Sequence, residues 1–186
     1  MNKYKIMKTF KSIVIVLVVL LLSSNVFCQL KTTKNETPRI MELSKFIDDL
    51  KNQEKNVKSE YSNVKELENL LYQVQPSLYF YDGELKSYGK DQTTLFTNCK
   101  SFNKISENKI DIPSIEIIRI NISDKTDLNN VLNSKEFKNF KKLKYIYFTS
   151  SFDINQEDIV TILNNSEIEY SIFYSIYKKD TKSQTR

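Results

Sequence analysis

The sequence predicts an α/β (or α+β) protein with a single mixed sheet, a long N-terminal helix and a C-terminal βαβαβ unit. Residues 114–178 alternate between β-branched or aromatic stretches and amphipathic stretches, which is typical of parallel strands joined by helical crossovers. The aromatic stretch 78–81 is followed by Asp82-Gly83, a strong signal for a hairpin turn. Apolar residues spaced by three and four positions before Pro76 indicate the helix.

The C-terminal unit divides into three strands and two helices. Isoleucines follow one another almost without interruption in its first strand, as in strands that are covered on both faces. Asn155 is a favourable N-cap for the second helix, because acidic residues follow it in the first turn. The predicted strands are 115–122, 144–151 and 167–177, the predicted helices are 127–140 and 156–164, and shorter strands are predicted upstream at 78–81, 84–88 and 93–97.

Leu143, Ile146 and Phe148 faintly resemble a leucine-rich repeat. A solenoid needs several copies of its repeat, and no second copy occurs at a fixed period. The sequence therefore argues against a solenoid.

The long helix is predicted to begin at Thr37-Pro38, with threonine as the N-cap and proline at the first helical position. It extends to Val74 and either packs its apolar stripe on the sheet or folds back as a hairpin near Asn56. A dimeric coiled coil is a third interpretation, which Glu54 and Glu68 disfavour because they occupy positions in the apolar seam.

Residues 1–28 have the three parts of a secretory signal peptide. Lysines within residues 3–11 precede an apolar run at 13–22, and a short segment ending in Cys28 follows. The apolar run has ten residues, whereas a membrane-spanning helix needs about 20. Cleavage after Cys28 predicts a secreted or periplasmic protein; lipid attachment at Cys28 is the alternative, which the large Phe27 disfavours.

The predicted domain organisation follows from this export segment. Residues 29–37 are polar and aperiodic, so they form a flexible linker. Residues 38–178 form a single α/β domain, and residues 179–186 form a disordered tail. No stable membrane span is expected once the signal peptide is removed.

Composition excludes several function classes. The formal net charge of +5 falls to +1 when the four lysines of the signal peptide are removed, so a nucleic-acid partner is not expected. The chain has no histidine, which excludes the Ser-His-Asp triad and His-ligated zinc. It has two glycines, too few for a glycine-rich phosphate loop, and no cofactor is predicted. Cys99 would be the one remaining thiol, interpreted as a small buried hydrophobe.

The exported region resembles small secreted proteins of unknown function from Bacteroidota-type bacteria. The resemblance is carried by residues 78–88 with the Asp82-Gly83 turn, and by residues 117–148 with their strand–helix–Lys-Leu-Lys-Tyr-Ile pattern. These are fold-level patterns, so the resemblance implies a compartment and a fold but no activity.

The charged residues offer weak candidates for chemistry. Four carboxylates lie near strand ends, where α/β sites gather, but no pair stands out by its spacing: Asp111, Glu116, Asp153 and Glu157. Arg119 lies within an isoleucine-rich strand and would bind an anion or pair with a carboxylate at a sheet edge. A local lysine cluster is interpreted as a solvated helix face: Lys135, Lys138, Lys141, Lys142 and Lys144.

Tyrosines form the strongest candidate binding surface. Tyrosines two or four residues apart share a face of each of three strands: Tyr79 with Tyr81, Tyr145 with Tyr147, and Tyr170 with Tyr174. A tyrosine offers both an apolar ring and a hydroxyl, which suits a glycan or a protein partner. The competing interpretation, which we favour, is that the long helix covers these rings as ordinary core.

No catalytic, cofactor-binding or metal-ligating residue is predicted. The leading hypothesis is an exported, non-enzymatic binding or envelope-associated protein with an unknown protein or glycan partner. The alternative hypothesis is a small hydrolase that uses paired carboxylates.

Overall fold

The computed structural model describes residues 40–55, 63–105, 114–164 and 169–177, and among these residues seven strands form one mixed sheet. The strands are β1 (Ile40–Glu42), β2 (Ser77–Tyr81), β3 (Glu84–Tyr88), β4 (Thr94–Asn98), β5 (Ile117–Ile122), β6 (Tyr145–Ser150) and β7 (Ser171–Ile176). Their order across the sheet is β1-β7-β6-β5-β4-β2-β3. Neighbouring strands are parallel except in the antiparallel hairpin β2–β3. The predicted α/β class with a single mixed sheet is confirmed.

The described segments that connect or precede the strands contain four α-helices and two 3-10 helices. The α-helices are α1 (Leu43–Lys55), α2 (Asn63–Tyr72), α3 (Cys99–Phe102) and α4 (Gln156–Leu163), and the 3-10 helices are Lys125–Asn129 and Ser134–Asn139. None of the helices in the described part of the chain has the length and apolar character needed to cross a membrane. The predicted signal peptide, the linker and the tail 179–186 lie outside the described residues.

Four parallel strands follow one another both in sequence and across the sheet. The register aligns Leu95, Ile118, Ile146 and Ile172 in adjacent strands, at intervals of 23, 28 and 26 residues. These intervals are unequal, which explains why no fixed period is visible in the sequence. Ile118 and Ile146 are fully buried, as the prediction of strands covered on both faces requires.

The predicted helix 127–140 is wrong: the structure has two 3-10 helices with extended backbone between them. Tertiary hydrogen bonds hold that extended backbone. The side-chain amide of Asn103 donates to the Val131 carbonyl at 2.7 Å and accepts from the Asn133 N–H at 2.8 Å. The Leu132 N–H donates to the Ile162 carbonyl at 2.7 Å. These backbone groups are therefore not available to an α-helix.

The predicted long N-terminal helix is divided in the structure into β1, α1 and α2. Ile40 pairs with Ile172 in the sheet, so the first helix begins only at Leu43. Lys51 and Glu68 form an ion pair at 3.6 Å, whereas one continuous helix would separate these residues by about 25 Å. The two helices therefore lie side by side, as the fold-back alternative predicts. Asn56, where that alternative placed the turn, lies outside the described residues.

The sheet is covered on both faces, and each face has its own apolar cluster. We call the face that carries α1 and α2 the N-terminal face; its cluster includes Ile117 and Phe173. We call the opposite face, on which the segments joining β4 to β7 pack, the crossover face; its cluster includes Ile118, Ile120 and Phe148. The alternation of side chains along each strand assigns neighbouring residues to opposite faces.

Candidate functional site: the aromatic face of the sheet

The register separates the six candidate tyrosines. Tyr79 and Tyr147 lie in one row of the N-terminal face, which runs from β2 through Phe96 and Arg119 to β6. Tyr174 pairs with Phe148 and lies on the crossover face. The six tyrosines therefore do not form one continuous surface.

The tyrosines of the crossover side are partly buried and pack against the apolar cluster of that face. Tyr170 packs against the cluster of that face, and its hydroxyl donates to the Phe137 carbonyl at 3.3 Å. Tyr174 is half-buried against the same cluster. Burial raises the pKa of both hydroxyls above the ordinary value.

Tyr145 and Tyr147 are buried beneath α1 and α2, each with 8% of its surface exposed. They share a cluster with Leu67 and Phe173, and the Phe46 ring of α1 meets Tyr145 edge-on at 6.4 Å. Burial, followed by the nearby Glu66 charge, raises the pKa of Tyr145. This confirms the interpretation of Tyr145 and Tyr147 as ordinary core under the N-terminal helices.

The tyrosines of the β-hairpin are more accessible. Tyr79 stacks on Phe96 with ring centroids 4.7 Å apart and planes 6° from parallel, and Tyr88 meets Tyr79 edge-on at 5.5 Å. Tyr88 is 60% exposed, and both Tyr79 and Phe96 are half-buried. We call these three rings the aromatic platform. Tyr81 lies two residues beyond Tyr79 on the same face and is also half-buried; burial raises its pKa, with smaller contributions from Tyr79 and Tyr177.

Arg119 lies at the border between the buried tyrosines and the aromatic platform. Its guanidinium carbon is 5.2 Å from the centre of the Phe96 ring and 5.6 Å from the centre of the Tyr147 ring. Its Nη2 donates to the carbonyls of Leu70 and Leu71, at 2.8 Å and 2.6 Å, in the last turn of α2. Carbonyls at a helix C-terminus lack helical partners and attract cations.

These contacts show what Arg119 does in the structure. It lies in β5, the central strand, and its side chain binds helix carbonyls, so the predicted pairing with a carboxylate at a sheet edge is wrong. Burial lowers its pKa from the ordinary arginine value. Its Nε is buried and has no hydrogen-bond partner. Arg119 thus fastens the end of α2 to the sheet.

The candidate carboxylates do not converge on one place. Glu116 precedes β5 and binds the Lys144 ammonium at 2.9 Å, and Lys144 also contacts Glu66 of α2. Partial burial lowers the Lys144 pKa, but the hydrogen bonds to the two carboxylates outweigh it and raise the pKa above the ordinary lysine value. Asp153 and Glu157 follow β6, at the opposite end of the parallel strands from Glu116. Asp111 lies outside the described residues.

The lysine cluster and Cys99 were interpreted from the sequence as a solvated helix face and as a small buried hydrophobe. The lysine cluster is exposed, but it does not form a helix face: Lys141, Lys142 and Lys144 lie outside the helices, and Lys144 binds Glu66 and Glu116. Cys99 is fully buried, and burial raises its pKa to about 12, so its thiol stays protonated near neutral pH. Within the described residues, no group of three or more cysteine or acidic side chains is placed to hold a metal ion.

Sequence reasoning missed two polar features. Glu136 is 5% exposed and accepts from the side-chain amides of Asn133 at 3.2 Å and Asn139 at 3.4 Å. Asn133 and Asn139, three residues before and after Glu136, were the sequence signal that could have indicated this buried carboxylate. An open groove of about 450 Å³ lies where β1 ends and α1 begins. Its lining residues come from four elements, so no local sequence motif predicts it. The lining residues are Ile40, Met41, Glu42, Lys45, Asp48, Asp49, Gln156 and Tyr174.

Tyr79 is the only residue of the aromatic platform that belongs to the predicted set of tyrosines; Phe96 and Tyr88 were not predicted, and Tyr88 is the most exposed of the three rings. The chain was also compared with known proteins. No protein-family model, no curated protein and no solved structure matches it.

Proposed function

We propose that the protein is an exported, non-enzymatic binding protein that holds a glycan or protein partner on the aromatic platform. The observation that supports this most directly is the Tyr79–Phe96 stack, with Tyr88 exposed beside it. Rings presented together on a sheet offer flat apolar surface, and the tyrosine hydroxyls add hydrogen bonds at the rim. Binding sites on protein surfaces are enriched in such residues.

A polar row next to the platform makes a glycan the first ligand class to test. Asn98, Asn121, Thr149 and Ser175 occupy adjacent positions in β4 to β7, two residues beyond the row that contains Phe96. All four side chains are uncharged and half-buried. Apolar rings beside uncharged donors and acceptors match the chemistry of a neutral sugar, which has apolar C–H faces and many hydroxyls. A protein partner is the alternative occupant.

The proposal of export depends on the pattern of residues 1–28, which resembles a signal peptide. The intact mass of the exported protein tests it. A mass that begins at Gln29 supports cleavage after Cys28 and a secreted or periplasmic location. A mass that includes Cys28 with acyl chains supports the lipid-anchored alternative, and a mass that retains residues 1–28 contradicts the proposal.

Ligand binding is best tested with residues 29–186 on an array of neutral and acidic glycans, followed by titration. The chain has no tryptophan, so its fluorescence comes from its tyrosines, among which is Tyr88. We expect a neutral glycan to change this fluorescence and Tyr88→Ala to weaken binding at least tenfold without changing the fold. Val131→Ala, which removes exposed apolar surface elsewhere, is the control. Array binding that Tyr88→Ala leaves intact would contradict the proposed site.

A protein partner is tested by capture from an envelope extract with the same variants.

The alternative of a small hydrolase has less support, because Glu116 is engaged by Lys144 and lies at the other end of the strands from Glu157. Paired-carboxylate hydrolysis requires two carboxyl groups within about 10 Å, on either side of one bond.

A further inference from the structure

The two edges of the sheet differ in length and exposure. The edge strand β1 has three residues in the structure, and Ile40 within it is 2% exposed. The edge strand β3 has five residues, and all five are exposed. Along an edge strand, backbone N–H and C=O groups point outward and can pair with another strand. Charged side chains often prevent such pairing, so the side chains of β3 decide what its edge can accept.

The strand β3 presents an exposed apolar residue between two opposite charges. In the antiparallel pair β2–β3, Glu84 lies opposite Tyr81 and Lys86 lies opposite Tyr79. Both charged side chains therefore lie on the N-terminal face. Their charged groups are 3.5 Å apart, and their side chains are 76% and 66% exposed. Leu85 lies opposite Phe80 and belongs to the crossover face, yet it is 50% exposed.

We propose that the edge of β3 binds the β3 strand of a second copy of this chain, in antiparallel register about a two-fold axis at Leu85. This register places Glu84 of each copy opposite Lys86 of the other, and the two Leu85 side chains opposite each other. Opposite charges and apolar pairs that face each other across strands are favourable. A register centred on Lys86 would instead place two lysines opposite each other, which is unfavourable. Of these two registers, the charges of β3 favour the one centred on Leu85, so they do not block pairing.

The pairing has a geometric consequence for the aromatic platform. A two-fold axis perpendicular to the sheet keeps the same face of both copies on the same side. The two platforms, each with Tyr88 on β3, then lie on one continuous surface across the joined sheets. Two linked ligand surfaces bind a repetitive ligand more tightly than one. The pairing itself does not depend on the proposed function.

The dimer is expected to be weak. The contact involves one short strand from each copy, which is less than the roughly 1,600 Å² of a standard stable interface. The test is sedimentation velocity of residues 29–186 at low salt, at protein concentrations from about 1 μM to 1 mM. These concentrations cover the dissociation constants expected for a weak association. We expect the weight-average mass to rise toward that of a dimer across this range.

Charge substitutions in β3 test the register. Glu84→Lys and Lys86→Glu each place like charges opposite each other in the symmetric dimer, so each variant alone is expected to stay monomeric. An equimolar mixture of the two variants is expected to form a heterodimer, because every introduced charge then meets an opposite charge on the other chain. The double variant Glu84→Lys/Lys86→Glu is expected to dimerise like the original chain.

Matched controls separate this register from general charge effects. Lys90→Glu changes the net charge as Lys86→Glu does, but at an exposed residue outside the strand, and should leave the dimer intact. Circular dichroism checks that each variant is folded. A chain that remains monomeric up to about 1 mM, or a dimer that persists in both single variants, would overturn the proposal.

Discussion

The two halves of the N-terminal face contain the same residue types but differ in accessibility. Over β6, Tyr145 and Tyr147 are each 8% exposed, because α1 and α2 pack against them. Over β2 to β4, Tyr79 and Phe96 stack on each other and stay half-buried, and Tyr88 is 60% exposed. We call these the covered half and the open half.

The difference shows that aromatic residues in a strand do not by themselves identify a binding surface. Accessibility depends on where the covering helix ends, and α2 ends at Tyr72. Arg119 fixes that end by binding the carbonyls of Leu70 and Leu71. A side chain of the central strand therefore binds the end of α2 at the border between core and surface.

The largest effect is expected when both tyrosines of the covered half are removed. Truncating a buried aromatic side chain to alanine costs about 3–5 kcal/mol, so Tyr145→Ala with Tyr147→Ala should unfold a domain of ordinary stability. Urea denaturation followed by circular dichroism measures the loss. Tyr88→Ala in the open half is the matched control and should change the free energy of unfolding by less than about 0.5 kcal/mol. Similar losses in the two halves would contradict the division of the face.

Much of the fold was predictable from local signals. The strands β5 and β6 and the hairpin β2–β3 are confirmed, because β-branched runs and the Asp82-Gly83 turn specify them locally. The strand β1 was missed, because its partner Ile172 is distant in sequence and Thr37-Pro38 favours a helix. The helix predicted at 127–140 failed because hydrogen bonds from Asn103 hold part of its backbone extended.

The candidate site was predictable only in part. Alternation along one strand correctly placed Tyr79 with Tyr81 and Tyr145 with Tyr147, because side chains two residues apart share a face. Relating one strand to the next requires the register, which is a tertiary property. For that reason the sequence could not show that Tyr174 lies on the crossover face. Phe96 was missed because nothing local shows that it stacks on Tyr79.

The next largest effect is expected at the border residue Arg119. Arg119→Met keeps much of the apolar stem but removes both hydrogen bonds to the end of α2. Hydrogen bonds from a charged donor contribute about 1.5–3 kcal/mol, so we expect a loss of about 2 kcal/mol. Hydrogen exchange should show the loss concentrated in the last turn of α2, with greater access to Tyr147.

Arg119→Lys and Lys45→Met complete this test. A lysine ammonium cannot both bridge the two carbonyls and stack between two rings, so Arg119→Lys should recover little of the stability. Lys45→Met removes an exposed charge from α1 and should have almost no effect on the free energy of unfolding. Unchanged exchange at the end of α2 in Arg119→Met would show that other contacts define the border.

The smallest effect is expected at the ion pairs that join the amino end of α2 to the sheet. Lys144 binds Glu66 of α2 and Glu116 next to β5, but its side chain is 44% exposed, so each pair should contribute less than about 1 kcal/mol. A double-mutant cycle with Glu66→Gln and Lys144→Met measures the pair with Glu66. Because folding raises the pKa of Lys144, this contribution should be complete below pH 10.5, the ordinary lysine value, and decrease as the pH rises above it. A coupling energy that is unchanged above that pH, or that is insensitive to salt, would show that the contact is not an ion pair and that apolar packing alone holds α2 on the covered half.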